Sequence, residues 1–583
     1  MRPTTTRRLV DLGVPALVAL VVVGPALLHR GYVLRGDLVF VPDMPWKGAW
    51  LGLDGRVPRF VPGDAFLALA GAVLPGDLVQ KLVLLAIFVL GGCGLARMLE
   101  QRAAWPRAAG VVFFLWNPWV LERLAVGQWG IVVGYALLPW AVLAAERVRD
   151  EGAGWPALVV WLGVAAVFSP ASGLVALAVV LAVLAVGPRR AQMFGALAGG
   201  LVMNLPWIVP ALVTSAGLRP AESQFDIFAP RAESGLGTAA SVLSLGGVWK
   251  TSIVPGERMS AIVVGLSLVL TLVAVLGLRR AARVEWRRVL GLGCVAVAAL
   301  LLALLTAIPA VAGALDDLSR AVAAVGLVRD SHRFLGPLAL VLALGLASAV
   351  EWLRVAAVPG LESLRAVAVA LVLVPAVALP SLAWGLGGLW RPVAYPAEWS
   401  AVRDQLPGGR MVVLPWSGSY RGFSWNGRHA GLDPAPRFFP GDVLVDDRVL
   451  VDREVVASED PLLDGVRRAL AAPDAAGALR RLGVRSVLVE KANGAVAPDL
   501  EGARVLHDGS GLRLVDLGAV APTVAADLPG RPSAVRRWTV VGLDVAVLVG
   551  WLVTGCLALA ALVGRRRARP CMVAATGERE GEP

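Results

Sequence analysis

The stretch "VPALVALVVVGPALLHRGYVLRGDLVFVPDMPW", from Val14 to Trp46, joins an apolar run to a polar segment that contains Asp37 and Asp43. About 20 mostly apolar residues are enough for a helix to cross a hydrocarbon layer of about 30 Å. Such runs recur along the 583 residues, of which 57% are hydrophobic and only 17% charged. Soluble domains contain about 25% charged residues. The sequence therefore predicts a polytopic α-helical membrane protein.

The apolar runs predict about twelve transmembrane helices. They lie at about residues 12–30, 78–98, 107–121, 130–146, 155–168, 172–187, 192–214, 260–278, 289–312, 334–353, 366–388 and 539–563. The first run follows "MRPTTTRR", which is similar to the basic start of a secretory signal, but no small-residue cleavage site follows it. We expect the first run to be a retained signal anchor.

Arginine placement predicts the orientation of these segments. The net charge of +12 comes mostly from Arg at the ends of alternate runs, which is typical of cytoplasmic loops rather than of a nucleic-acid-binding face. We expect both termini in the cytoplasm, residence in the cytoplasmic membrane and no nucleic-acid partner. The predicted outer loops are 31–77, 215–259 and 313–333. Short helical patterns after Asp64 and Asp316 predict helices that lie along the membrane surface.

A polar insert precedes the last apolar run. "GGRMVVLPW" and "GVRSVLVEK" are typical of buried strands, and residues 461–483 have a helical pattern. The predicted organisation has four parts: a transmembrane domain at 1–388, a small extracytoplasmic α/β domain at 389–537, the last transmembrane helix at 538–564 and a basic, disordered cytoplasmic tail at 565–583.

Common catalytic motifs are absent from the sequence. It contains no Walker loop, HExxH, GxSxG or dinucleotide fingerprint in a suitable context. Cys93, Cys294 and Cys556 lie in apolar runs and Cys571 lies in the tail, so no disulfide framework or thiolate zinc site is expected. No cofactor is required by any motif.

The candidate chemistry lies in the outer loops. Asp37 and Asp43 are candidates for a general base that accepts a proton from a sugar hydroxyl. Alternatively, both are solvated loop residues, or Asp37 pairs with Arg35. In "NPWVLERLAVGQWG", the pair Glu122 and Arg123 is costly at a span end unless it faces protein, water or a ligand. A snorkelling Arg123 paired with Glu122 is the alternative.

Two further clusters contain candidate binding residues. "VRDSHRF" places Arg329, His332 and Arg333 before a span, where they would stabilise a phosphate leaving group; a plain ion cluster is the alternative. The carboxylates and His332 are also able to coordinate a divalent metal, although no spacing of these residues requires one. In "SGSYRGFSWNGRHAG", aromatic and polar side chains suit a glycan, and ordinary loop packing is the alternative. These weaker acceptor-binding candidates are Tyr420, Trp425 and His429.

Together, "RGD" in the first outer loop, the surface helix after it, "NPWVLERLAVGQWG", "VRDSHRF", "LGVRSVLVE" and the late outer domain resemble the GT-C glycosyltransferases. Within that group the chain is most similar to arabinofuranosyltransferase D-like and YfhO-type bacterial membrane proteins. The former are much longer and carry large carbohydrate-binding domains. The resemblance implies transfer of a sugar from a polyprenyl-phosphate donor to an envelope glycan on the outer face, with the lipid bilayer as the third partner.

The resemblance also implies roles for particular residues. The catalytic carboxylate of the first outer loop corresponds to Asp37, with Asp43 as second choice. The residues expected to bind the lipid phosphate or the sugar are Arg35, Glu122, Arg123, Gln128, Arg329, His332 and Arg333. Two alternatives stay open at this point: a secondary transporter or flippase for an envelope precursor, since about twelve spans are common in transporters, and a non-catalytic membrane subunit.

Overall fold

A computed structural model describes residues 9–56, 59–213, 223–355, 363–494, 500–520 and 532–574. The helices of the N-terminal part are α1 (Val14–Leu28), α2 (Gly63–Gly71), α3 (Gly76–Met98), α4 (Ala104–Leu115), α5 (Pro118–Val126), α6 (Trp129–Glu151), α7 (Trp155–Phe168), α8 (Pro170–Ala185) and α9 (Arg190–Val213). The central helices are α10 (Gln224–Ile227), α11 (Gly237–Leu243), α12 (Ala261–Thr306), α13 (Pro309–Ala321), α14 (Gly336–Val355), α15 (Ser363–Ala378) and α16 (Ala383–Gly388). Residues 389–537, which we call the outer domain after their predicted position, and the C-terminal part contribute five helices. These are α17 (Ala397–Asp404), α18 (Ala435–Phe438), α19 (Pro461–Leu470), α20 (Ala475–Arg481) and α21 (Ala534–Ala574).

The chain is a mostly helical membrane protein. Within the described ranges, eight helices are long and apolar enough to cross a membrane, or nine if the bent pair formed by α15 and α16 counts as one span. The apolar helices α7 and α8 are shorter. The predicted number of about twelve therefore stays a prediction.

Helix α12 accounts for part of the difference, because it contains two predicted spans in one 46-residue helix. Glu285 in its middle has a non-helical backbone, with φ −118° and ψ 37°. Arg288 pairs with Glu146 at the far end of α6, whereas Thr306 at the end of α12 bonds Ser331 near the outer domain. The stretch between the two predicted spans is rich in Arg and Ala, which favour helix. The polar segment that we expected to be a loop is therefore a kink inside a helix.

Small residues bring α12 and α14 together. A Cβ added at Gly277 would collide with the carbonyl of Gly345, and a Cβ at Gly345 would collide with the carbonyl of Ala274. Helices without side chains at their contact can approach closely, which compensates for the weak hydrophobic drive within a membrane. This pairing places the start of α14, which follows Arg333, firmly in the bundle.

Two short helices lie in the regions predicted to run along the membrane surface. These are α2, which begins beside Asp64, and α13, which contains Asp316. Asp64 bonds Arg437 of the outer domain at 2.9 Å, and Asp316 accepts the Phe225 amide at 3.1 Å. Both helices are thereby fixed to neighbouring outer segments.

The outer domain contains a five-stranded sheet. Its strands are ordered β4-β1-β7-β9-β8, with β1 (Arg410–Leu414), β4 (Asp442–Leu444), β7 (Val484–Glu490), β8 (Arg504–Asp508) and β9 (Leu512–Asp516). Strand β1 is parallel to β4 and β7, and β9 is antiparallel to β7 and β8. Two smaller antiparallel pairs are β2 (Tyr420–Arg421) with β3 (Gly431–Leu432), and β5 (Val449–Val451) with β6 (Glu454–Val456).

Apolar residues of α19 and α20 cover the sheet. Leu463 and Val466 of α19 and Leu479 of α20 form a buried cluster with Val412 and Val487 of the central strands. The helical stretch predicted over 461–483 is thus two helices. Pro473 lies between them, and the Asp474 carboxylate caps α20 by accepting the Gly477 amide at 2.6 Å.

The last helix packs at the edge of the bundle, against α7 and α9. It continues to Ala574, past the predicted span end at 564 and into the tail expected to be disordered. Residues 575–583 of that predicted tail and the basic start at 1–8 lie outside the described residues.

Candidate active site

The short helix α5 provides one side of the candidate site, and its sequence explains its limits. Asn117 caps the helix by accepting the Val120 amide at 3.1 Å, and Pro118 occupies the first helical position. Gly127 ends the helix with φ +87°, a left-handed conformation that favours glycine. The helix therefore stops at a fixed point, with its last carbonyl groups facing the first outer loop.

The loop that contains Asp37 docks onto this helix end. The Asp37 amide donates to the Val126 carbonyl at 2.8 Å. Gly36 has φ +53°, and a Cβ there would collide with the same carbonyl. A Cβ on Gly127 would collide with the backbone of Asp37 and Leu38. Two glycines thus permit a backbone contact that holds Asp37 at the end of α5.

The outer domain holds the other side of the same loop. The Gly36 amide donates to the Ala430 carbonyl at 2.9 Å, and the Leu432 amide donates to the Gly36 carbonyl at 2.8 Å. The Tyr420 hydroxyl donates to Asp37 Oδ1 at 2.5 Å. Asp37 therefore lies at the junction of the membrane bundle and the outer domain.

Asp37 is partly buried, and its surroundings have opposing effects on its protonation. Burial raises the pKa of the Asp37 carboxyl above its ordinary value, while the Tyr420 hydrogen bond and nearby Arg437, Arg333 and Arg59 oppose that rise. The pKa of Tyr420 is also raised, by burial and by the negative charge of Asp37, so the phenol stays a donor. The junction therefore holds a carboxyl with a raised pKa beside several guanidinium groups.

Arg123 joins the two clusters that were separate in the sequence. Its side chain is fully buried, and Nη1 donates to Gln128 Oε1 at 2.7 Å and to Asp330 Oδ2 at 2.8 Å. Its Nη2 lies 2.6 Å from His332 Nδ1. Because guanidinium only donates, His332 Nδ1 accepts and the ring proton of a neutral His332 is on Nε2.

Asp330 links Arg123 to Arg333, whose Nη2 lies 3.3 Å away. Burial would raise the pKa of Asp330, but the positive charges of Arg123 and Arg333 outweigh it and hold that pKa below its ordinary value. Asp330 is therefore a fixed negative charge that orients two cations. The positive charge of Arg333 also opposes the rise in the pKa of Asp37, which links this network electrostatically to the docked loop.

A second buried set lies behind His332 and joins Glu122, a predicted site residue, to Glu233 and Arg258, which were not predicted. His332 Nε2 is 3.5 Å from Glu122 Oε2, which also accepts the Val248 amide at 3.2 Å. Glu122 faces Glu233, whose side chain forms a fully buried ion pair with Arg258 at 2.5 Å. Glu233 and Arg258 lie in the predicted outer loop 215–259, and no local motif marks them.

Other predicted site residues lie elsewhere. Arg329 pairs with Glu459 of the outer domain at 2.7 Å and with Gln224 at 2.9 Å. Asp43, whose side chain is 70% exposed, pairs with Arg403 at 3.3 Å. The structure thus separates the second candidate carboxylate from the docked Asp37.

The three acceptor candidates are also divided. Tyr420 contacts Asp37, whereas His429 Nδ1 lies 3.3 Å from Nη1 of Arg35. Trp425 packs in an aromatic cluster with Tyr395, Trp399 and Phe423, which is the ordinary loop packing left open above. In the part of the chain that the structure describes, no group of three or more His, Cys, Asp or Glu side chains could hold a metal ion.

The fold and the site together define a helical membrane protein with a carboxylate and several cations at the junction of its bundle and outer domain. The chain matches no protein-family model and no curated protein sequence. Its fold is similar to that of the mycobacterial arabinofuranosyltransferase AftD, solved by single-particle cryo-EM, and to a mutant of that enzyme. Both comparisons give a TM-score of 0.53 and 18% identity over 88% of this chain.

The likeness supports the predicted GT-C-like fold and does not assign the chain to a family. This chain spans 40% and 41% of the two AftD chains.

Proposed function

We propose that the chain is a GT-C-type glycosyltransferase. It would move a sugar, arabinofuranose in our proposal, from a polyprenyl-phosphate donor to a cell-envelope glycan or glycolipid at the outer face of the cytoplasmic membrane. One observation carries the proposal: Asp37 is fixed at the junction of bundle and outer domain, beside Tyr420 and several guanidinium groups. A lipid-linked donor has its tail in the bilayer and its sugar at the surface, where this junction would meet it.

Asp37 would act as the general base. Its carboxylate accepts the proton of an acceptor hydroxyl while the hydroxyl oxygen attacks the anomeric carbon of the donor. The bond from that carbon to the phosphate oxygen breaks, and the polyprenyl phosphate leaves with the bonding electrons. Arg333 and Arg59 near Asp37 would stabilise the negative charge on the leaving phosphate.

The protonation of Asp37 suits this role. A general base is most effective when its pKa lies near the working pH, and burial moves the pKa of Asp37 upward in that direction. Arg123 would act as a positioning residue, since it holds Asp330 and His332 in place and reaches Asp37 only through Arg333.

Asp37→Asn tests the proposal, with Asp43→Asn as the matched control in the same loop. We expect Asp37→Asn to lower transfer from a polyprenyl-phosphate sugar by about 10²- to 10⁴-fold in a reconstituted assay of the full chain. Asp43 is exposed, so its variant should retain the wild-type rate. Thermal unfolding of both variants should stay close to wild type, because neither change alters side-chain volume.

Full transfer by Asp37→Asn would contradict the proposal. Absence of transfer by the wild-type chain, by contrast, would favour a transporter or flippase, or a non-catalytic subunit, over a transferase. Analysis of envelope glycans after deletion of the gene would then identify which precursor or product changes.

A further inference from the structure

A large cavity lies beside the candidate site, between the first outer loop, the outer domain and the start of α21. Its volume is about 1340 Å³. Pockets for single small molecules have volumes of about 300–1,000 Å³. The cavity therefore has room for more than one sugar unit.

The cavity and the Asp37 site share neighbouring residues. Arg59 and Arg437 line the cavity and also act on the Asp37 carboxylate. Ser419, which precedes Tyr420 in the chain, and Leu432, which pairs with Tyr420 across β2 and β3, also line the cavity. A chain bound in the cavity would thus have one end near Asp37.

The charges around the cavity nearly cancel. Seven basic and six acidic side chains line it. Most of the basic groups are paired: Arg410 lies 2.7 Å from Asp442, which also pairs with Arg56, and Arg437 lies 2.9 Å from Asp64. A phosphate group would have to compete with these carboxylates for the guanidinium groups.

Lys47 adds less than a full positive charge to the cavity near neutral pH. Its Nζ donates to the Pro436 carbonyl at 2.6 Å, and burial lowers its pKa to about 7. The lining is therefore rich in hydrogen-bonding groups but has little net charge. Such a surface suits the hydroxyl groups of a neutral glycan better than an anionic headgroup.

Aromatic faces complete the lining. Trp46 is 55% exposed and lies on the first outer loop, and Trp538 is 68% exposed at the start of α21. An indole face is apolar and suits the C–H face of a sugar ring. Trp538 lies on a membrane helix, where an aromatic belt is expected, so Trp46 is the more informative of the two.

We propose that this cavity binds the end of a neutral acceptor oligosaccharide, with Trp46 stacking on a sugar ring and the terminal hydroxyl reaching Asp37. The proposal rests on the proposed function for the identity of the reaction, but binding in the cavity is measured without turnover. In this proposal the acceptor does not bind Trp425 or His429. Trp425 packs against Phe423, and His429 contacts Arg35.

The test measures binding of defined probes to the full chain in nanodiscs. The probes are neutral arabinan, mannan and galactan oligosaccharides, with decaprenyl phosphate as the anionic lipid probe. We expect wild type to bind at least one neutral oligosaccharide and Trp46→Ala to bind it about three- to tenfold more weakly. Binding of decaprenyl phosphate should be unchanged in Trp46→Ala.

Trp286→Ala is the matched control. Trp286 is 52% exposed but lies at the kink of α12, at the opposite end of the bundle from Asp37. This variant should bind both kinds of probe like wild type. Asp37→Asn keeps a side-chain oxygen that can accept from the terminal hydroxyl, so its affinity for the neutral oligosaccharide should fall less than that of Trp46→Ala.

Two results would overturn the proposal. One is that no neutral oligosaccharide binds wild type. The other is that Trp46→Ala leaves oligosaccharide binding unchanged or weakens decaprenyl phosphate binding instead, which would make the cavity a donor site. Failure of the proposed function is distinguishable, because full transfer by Asp37→Asn would refute the general base while leaving the Trp46-dependent binding in place.

Discussion

Gly127→Ala tests whether the docked first loop positions Asp37. Gly127 has φ +87°, where a residue with a Cβ costs about 1–2 kcal/mol. The new Cβ would collide with the backbone of Asp37 and Leu38, so the loop must move away. That movement breaks the bond of 2.8 Å from the Asp37 amide to Val126, which contributes about 1 kcal/mol.

The expected outcome is a loss of about 2–3 kcal/mol in stability and of about 100-fold in transfer rate, because a displacement of about 1 Å at a reacting group has that effect. The assay combines initial rates of sugar transfer from a lipid-linked donor with thermal unfolding of the full chain. Binding of the donor should change less than the rate, since Arg333 is held independently by Asp330.

Gly494→Ala is the control for backbone strain. Gly494 has φ +70°, and a Cβ there meets no atom within 4 Å. This variant has the same kind of strain without a collision, so its transfer rate should match wild type. A Gly127→Ala variant that transfers sugar within about threefold of the wild-type rate, far from the expected 100-fold loss, would refute the positioning argument.

Two further predictions concern protonation. Tyr420→Phe removes a hydrogen bond that lowers the pKa of Asp37, so the acid limb of the pH–rate profile should move to higher pH; an unmoved limb would exclude Asp37 as the titrating base. In the outer domain, Asp433 and Glu490 each lie 3.2 Å from the buried Arg421. Burial and the charge of Asp433 raise the pKa of Glu490 in the folded protein. The stability that protonated Glu490 contributes is therefore complete below its unfolded pKa of about 4.3. That stability is lost as the pH rises through the pKa of Glu490 in the folded protein. Glu490→Gln should flatten the fall of the unfolding midpoint with rising pH, and an equally steep fall would contradict this account.

The sequence allowed a mostly helical membrane protein to be predicted because the length of an apolar run is a local property. Strands β1 and β7 lie in the two stretches that were typical of buried strands, for the same reason. Helix ends inside polar segments were harder to predict. The segment around Glu285 has polar residues that suit either a loop or a helix, and its contact with Arg102 depends on the packed bundle.

The site could be predicted only as separate pieces. Arg123 and His332 were each recognised from local charge in an apolar setting, but nothing local indicates that they lie 2.6 Å apart. Glu233 and Arg258 were not predicted, because no local sequence signal marks either residue and the fold alone brings them into contact. The roles of Gly36 and Gly127 were not predicted. Each glycine is required because backbone from a distant part of the sequence packs against it, and the local sequence does not show this contact.

The buried ions behind Asp37 also indicate why the site is built on the bundle rather than on the outer domain alone. A buried ion pair contributes little net stability, but removing one partner costs about 3–5 kcal/mol. Glu233 with Arg258, and Arg123 with Asp330, are fully or almost fully buried pairs that lie on opposite sides of His332. These buried pairs therefore hold their side chains in fixed positions. Asp330 in turn holds Arg333 on the bundle side of Asp37, and Tyr420 contacts Asp37 from the outer domain. Asp37 requires both sides at once, so a catalytic geometry should form only when the outer domain is docked on the bundle.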